Sequence, residues 1–239
     1  MTSKAVSFKN ITKKYGETTV LKNICLDIND HETTALVGES GSGKTTLLQL
    51  VNGLTLPSAG EVNIFGDQLD YDNLANARKR MGYAVQGAGL FPHMTIFENI
   101  IVMAKLDGWN DQKIAARADY VVELVDLKKE LLDRFPHNLS GGQRKRIALA
   151  RTLISKPDIL IFDEPTTGLD PMALIRLKEL IAEEKKKGTH VVSLNVAETN
   201  PRAKKLYERL GFVVKNKTTG NLISQYGRGV GHEYMEIDL

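Results

Sequence analysis

Apolar and polar residues alternate at the front of the chain in short stretches, AVSFKNI, TTVLKNICLDI, TTALVG and EVNIFG, rich in Val, Ile and Thr and broken by turn residues such as Gly16 and Gly66. A period of two with β-branched residues predicts half-buried strands, and the intervening turns predict an antiparallel start. Three later runs, GYAVQ, DILIFDE and THVVSLNV, read as buried strands separated by helical text, which predicts a mostly parallel sheet with crossover helices. Between Pro92 and Lys156 the apolar positions recur at helical spacing in IFENIIVMAKL, AARADYVVELVDL and GGQRKRIALARTLI, predicting an inserted helical subdomain over about 92–156. A further helix from about Met172 to Lys187 has Glu183 and Glu184 directly ahead of its terminal lysines and ends at Gly188. The helix dipole and a glycine cap favour that order, so the Lys185, Lys186, Lys187 run reads as a helix end, not a basic patch.

Composition narrows the classes. A chain of 239 residues can bury one large core, or one core with a modest subdomain, and 42% hydrophobic with 26% charged residues is the balance of a soluble globular protein. A formal charge of +3 is too mild to argue for nucleic acid as a partner. The single cysteine, Cys25 in LKNICLDI, cannot form an internal disulfide and reads as a small buried apolar residue suited to a reducing compartment. MTSKAVSFKN lacks the apolar core of a signal peptide, and no apolar run approaches the roughly 20 residues that span a bilayer, so any membrane role is expected to be peripheral.

Two motifs carry the chemistry. ALVGESGSGKTT follows a strand and precedes the helical LLQLVNGL, with Gly38, Ser40, Gly41, Gly43, Lys44, Thr45 and Thr46 in the phosphate-loop pattern. Glycines let backbone N–H groups curl around phosphates, Lys44 reaches their outer oxygens and the Thr45 hydroxyl ligates magnesium. DILIFDEP then brings Asp163 to the carboxyl end of an apolar strand with Glu164 directly after it; Asp163 would help hold the metal through water, and Glu164 would polarise the attacking water.

With these motifs in place the chain resembles the ATP-binding cassette (ABC) family, the nucleotide-binding subunits of membrane transporters. LSGGQRKRIALAR, with Leu139, Ser140, Gly141, Gly142 and Gln143, is similar to that family's signature and lies upstream of the acidic strand as the family requires. The resemblance implies a phosphate-loop α/β fold with an antiparallel β subdomain and a helical subdomain, ATP and Mg2+ as ligands, and a head-to-tail homodimer in which Ser140 and Gly141 of one subunit close on ATP held by the other. It further implies that Tyr15 stacks on adenine, that Gln86 links the magnesium site to the helical subdomain, and that Asp170 lies in the loop crossing the dimer interface. Membrane-spanning permease subunits would be the partners, with the chain cytoplasmic and peripheral to the inner face of the membrane. GLFPHMTIFENI, after Gln86, resembles importers of quaternary-amine osmoprotectants.

The resemblance stops near residue 188. In the family the strand after the crossover helix ends in Thr-His-Asp, whose histidine contacts the γ-phosphate; here those positions fall on Asn195, Val196 and Ala197. His190 opens the strand, roughly 20 Å from its far end at about 3.3 Å per residue. Hydrolysis is therefore expected to be slowed while ATP binding persists. VVSLNVAETNPRAKKLYERLGFVV instead resembles GNAT-type N-acetyltransferases, with Asn200, Ala203 and Tyr207 matching residues at the acyl-coenzyme A end of that family's site, and EYMEIDL resembles its last strand. Where that family needs a pyrophosphate loop stands TTGLDPMALIRL, and Gly227, Gly229 and Gly231 come late enough to read as a flexible hairpin. The expectation is a within-domain chimera, with residues 1–188 the nucleotide-binding core and 189–239 an acetyltransferase-like segment completing the sheet. Beside an ATPase subunit stand two alternatives: a chimeric scaffold that binds ATP without turnover, and an acetyl-coenzyme A-dependent N-acetyltransferase.

Overall fold

The alternation at the front of the chain becomes two long strands in the computed structural model, β1 (Lys4–Tyr15) and β2 (Thr18–Asn29), turned at Gly16 with φ 56°. The structure describes residues 3–30, 32–38, 41–85, 87–163, 179, 191–197, 213–215, 219–223, 229–230 and 233–237. The chain divides into two units, Met1–Arg78 with His190–Leu239, and Lys79–Thr189.

In the first unit β1 pairs antiparallel with β2 and with β4 (Ala59–Ile64), and the two-residue β5 (Asp67–Gln68) extends the sheet beyond β4. On the open side of β2 lie β10 (Thr219–Ile223) and then β11 (Gly229–Val230), both antiparallel. Val6, Phe8, Ile11, Leu21, Ile24, Leu26 and Ile28 are nearly or wholly withdrawn from water. Side chains of this size contribute about 1.5–3 kcal/mol each on full burial, which is what holds the sheet. Cys25, expected to be buried, is only half-buried; its thiol donates to Asn10 Oδ1 at 3.2 Å and accepts from the Asn10 backbone N–H at 3.3 Å. The small thiol serves here as a polar clasp across a register shift of the β1–β2 ladder.

The second ladder of this unit is built on β3 (Glu32–Gly38). It pairs parallel with β8 (Val191–Ala197) and antiparallel with β12 (Glu233–Ile237), which pairs in turn with β9 (Val213–Lys215). Helix α1 (Lys44–Val51) follows the loop after β3 and buries Leu47, Leu48, Leu50 and Val51.

The second unit holds a parallel pair, β6 (Met81–Ala84) and β7 (Ile159–Phe162), with every residue of β7 buried. The helical text of 92–156 folds as α3 (Ile96–Leu106), α4 (Asp111–Leu124) and α5 (Gly141–Leu153), with single 3-10 turns at Lys129–Leu131 and Pro136–Asn138. Helix α3 packs on both α4 and α5. Each helix starts on a side-chain cap: Thr95 with Glu98 and Ser140 with Gln143 as reciprocal capping boxes, and Asn110 alone. The short helix α2 (Ala75–Lys79) and β5 were not anticipated, because neither is long enough to show a period. Among the described residues no helix is long and apolar enough to cross a membrane.

Candidate functional site

In the first unit the phosphate loop leaves β3 at Gly38. Gly41 and Gly43 take φ values of 79° and 95°, a region that L side chains rarely enter. Gly43 is the left-handed N-cap of α1, no side chain caps that end, and no acidic residue stands in the first turn. The positive end of the helix dipole is thus left facing the loop, with Lys44 as the first helical residue. Lys44 is 6% exposed and donates from Nζ to Ser42 Oγ at 3.2 Å. Thr45 and Thr46 follow, both half-buried. A buried ammonium beside a glycine loop at a helix N-terminus is a donor set that fits a chain of phosphates.

The same unit contains the strand expected to carry the missing histidine. Strand β8 runs parallel to β3 in unbroken register, from Val191 opposite Glu32 to Val196 opposite Val37 and Ala197 opposite Gly38. Position 196 therefore lies at the end from which the phosphate loop departs, and Val191, next to His190, lies at the other end. Tyr15, at the end of β1, is 48% exposed, with the Lys13 ammonium 4.7 Å from its ring centroid and its hydroxyl 3.4 Å from Thr55 Oγ1. A ring this accessible can stack on a planar base.

In the second unit Asp163 stands directly after β7, 4% exposed, its backbone N–H bonded to the Ala84 carbonyl at 3.0 Å. Tyr83 donates its hydroxyl to Asp163 Oδ2 at 3.2 Å. Burial, then the charge and hydrogen bond of Asp163, push the Tyr83 hydroxyl well above its ordinary pKa, so it stays a donor and orients the carboxylate. A buried, oriented carboxylate at a strand end is suited to the outer shell of a magnesium ion. Because β6 and β7 are parallel, with Ala84 opposite Phe162, the chain leaves both strands at the same end.

The signature stretch is a helix start. Ser140 Oγ accepts from the Gln143 N–H at 3.2 Å while Gln143 Oε1 accepts from the Ser140 N–H at 2.9 Å. Ser140 and Gly141 are exposed, and a Cβ on either Gly141 or Gly142 would meet nothing within 4 Å. That surface is open to a ligand approaching the N-terminus of α5.

Ser40, Gln86, Glu164, Asp170, His190, Asn200, Ala203, Tyr207, Gly227, Gly231 and nearly all of the helix expected from Met172 to Lys187 lie outside the described residues. No motif singles out Ser42 or Tyr83: Ser42 occupies a variable position of the loop pattern, and a strand tyrosine has no spacing signature of its own.

A family model described as ABC transporter matches residues 21–167. The chain is 37% identical over 206 residues to the choline transport ATP-binding protein OpuBA of Bacillus subtilis, covering 86% of this chain and 54% of that protein. It is 39% identical over 175 residues to the glycine betaine/carnitine/choline transport ATP-binding protein OpuCA of Bacillus subtilis, covering 73% and 46%. To the glycine betaine uptake system ATP-binding protein YehX of Escherichia coli it is 36% identical over 167 residues, covering 70% and 54%. The chain spans about half the length of these curated relatives. Among solved structures, the dimeric ATP-binding cassette MJ0796 superposes with a TM-score of 0.75 at 30% identity, covering 84% of this chain and 90% of that one. A post-hydrolysis dimer of the same cassette bound to ADP and Pi gives 0.74 at 31%, covering 80% and 87%.

Proposed function

The chain belongs to the ABC transporter family and has that family's phosphate-loop ATPase fold with antiparallel β and helical subdomains, and from that premise we propose that it is the ATP-binding subunit of an importer, with hydrolysis slowed by the absence of the histidine. The observation that carries the reading is the ordered set of phosphate loop, signature and acidic strand end, with Lys44 buried at the N-terminus of α1 and Asp163 buried after β7. In this reading the backbone of Gly41 to Thr46 wraps the phosphates, Lys44 binds their outer oxygens, Tyr15 stacks on adenine, and Glu164 takes a proton from the attacking water. Thr45, Asp163 and Gln86 would hold magnesium, which when bound neutralises charge on the phosphate oxygens. Ser140, Gly141 and Gly142 of a second copy, with Asp170 at the interface, would close on the nucleotide. Permease subunits are the proposed partners, and relatives named for choline and glycine betaine transport support a quaternary-amine cargo.

We read residues 189–239 as an acetyltransferase-like segment completing the sheet of the core that ends at 188. The sequence VVSLNVAETNPRAKKLYERLGFVV supports the likeness, and the parallel pairing of β8 on β3 supports a segment that adds to the sheet. MgATP turnover by the purified chain, beside Lys44→Ala, tests the function. Lys44-dependent hydrolysis is expected, at a rate about 10²–10⁴ below that of a cassette with its orienting histidine. No turnover above the variant would leave at most a scaffold that binds ATP, and a measured ATP affinity would decide whether it binds.

A further inference from the structure

The last residues of β1 are stitched to the segment that leaves α1. Ser58 donates its backbone N–H to the Thr12 carbonyl at 2.8 Å, and its hydroxyl accepts from the Lys14 N–H at 3.0 Å. Lys13 donates from Nζ to the Leu56 carbonyl at 2.7 Å, and the Thr55 N–H bonds back to the Gln49 carbonyl on α1 at 3.3 Å. The end of β1 that carries Tyr15 is thereby tied to the helix that begins at Lys44.

Tyr15 itself has little to hold it. It is the last residue of β1, before Gly16 with its left-handed φ of 56°, and about half of it is exposed. Its hydroxyl lies 3.4 Å from Thr55 Oγ1, beyond the roughly 2.5–3.0 Å of a good bond between hydroxyls, so that contact guides the ring only weakly. The stronger hold is the Lys13 ammonium, 4.7 Å from the ring centroid, inside the distance of about 6 Å at which an aromatic face attracts a cation. Lys13 is half-buried, the Leu56 carbonyl fixes its ammonium, and among the described residues no carboxylate pairs with it. Its charge is left to the ring. With one face of the ring covered in this way, a planar base stacks on the other. A ring held before the ligand arrives spares the complex the cost of ordering it on binding.

We propose that Lys13 is a positioning residue for the nucleotide base: bound to Leu56 and laid over one face of Tyr15, its ammonium fixes the ring so that the opposite face is presented to adenine. The proposal rests on the reading of Tyr15 as the residue that stacks on adenine. It acts on the share of the affinity that the nucleoside contributes and leaves the phosphate contacts at Lys44 alone. A lysine near a nucleotide site has a second way to act, drawing in any anion by its charge, but that effect does not distinguish a nucleotide from a bare triphosphate.

The test is equilibrium binding of ATP and of inorganic triphosphate, both with Mg2+, by the full chain; the ratio of the two affinities isolates the nucleoside. The variants are Tyr15→Ala, Lys13→Met, Lys13→Arg, the Lys13→Met/Tyr15→Ala pair, and Lys9→Met as a control on the same strand, where Lys9 bonds Glu61 at 2.6 Å. Lys13→Met is expected to lower the ratio about two- to tenfold, the cost of ordering one side chain on binding, with triphosphate affinity unchanged. Lys13→Arg should restore the ratio, because a guanidinium also lies on aromatic faces and donates to carbonyls. The pair should be no worse than Tyr15→Ala, and Lys9→Met should match the parent chain. Should Lys13→Met fail to fold, Lys13→Gln, a donor without charge, decides by the same criterion. An unchanged ratio, equal losses for ATP and triphosphate, Lys13→Arg as weak as Lys13→Met, or a loss that persists on the Tyr15→Ala background overturns the positioning role alone. A parent chain with no preference for ATP over triphosphate, or full retention of that preference in Tyr15→Ala, overturns the reading of Tyr15 and the proposal with it.

Discussion

Single residues decide what the phosphate end of the first unit can do. Val196 stands opposite Val37, one pair before Gly38, and is the position at which the sequence resemblance expects the family's histidine. Val196→His is therefore expected to raise Lys44-dependent turnover by about 10²–10⁴, the range for one orienting or acid–base group; an unchanged rate in a phosphate-release assay would sink the idea that position 196 is what limits hydrolysis. Asp27 is a second residue with a measurable consequence. Partial burial pushes its carboxyl up, but hydrogen bonds from Lys4 at 2.7 Å and Ser7 at 2.6 Å, with the charges of Lys4 and Lys9, outweigh that and hold it below the ordinary carboxylate range. A depressed folded pKa means that its stabilising contribution is fully present above the unfolded value near 3.9 and is lost as pH falls through the folded value. Asp27→Asn should thus lower the urea midpoint at pH 7, and the gap from the parent chain should narrow on acidification through pH 4 and below. A gap constant with pH would assign the loss to packing.

Elements were legible to the degree that their signals are local. The three long helices of the second unit start at Thr95, Asn110 and Ser140, all cap residues written in the sequence, two of them with the partner three positions on. The strand GYAVQ shows its apolar run but not why Gly82 is there. A Cβ at Gly82 would come within 2.7 Å of both Cγ2 and the backbone carbonyl oxygen of Thr152 on α5, and 3.0 Å from Leu160 on β7. Close approach of helix to strand is the reason for the glycine, and backbone cannot move aside cheaply. Gly82→Ala is expected to destabilise the chain by about 1–3 kcal/mol, as overpacking does, read as a lower chemical-denaturation midpoint with an unchanged slope. A neutral effect would mean that α5 is not held against β6 as tightly as these distances require.

At the scale of the whole molecule, a helix start with Ser140 and Gly141 exposed and a phosphate loop with a buried lysine belong, in the proposed function, to two copies that share nucleotide. Glu164→Gln should trap that state: with ATP and Mg2+ the variant is expected to elute as a dimer in size-exclusion chromatography and as a monomer without nucleotide. A variant monomeric under both conditions would count against shared sites. The sequence by itself determined the phosphate loop, the signature helix start and the acidic strand end, because each is a contiguous stretch whose glycines, caps and apolar run prescribe its own backbone. Only the tertiary structure decided that Tyr83 orients Asp163, which is eighty residues away, that Lys13 donates to the Leu56 carbonyl, and that Val191–Ala197 runs beside β3 with Val196 at the phosphate-loop end. Those contacts join positions distant in the chain through side chains and strand register, and neither leaves a periodic or motif signature along the sequence.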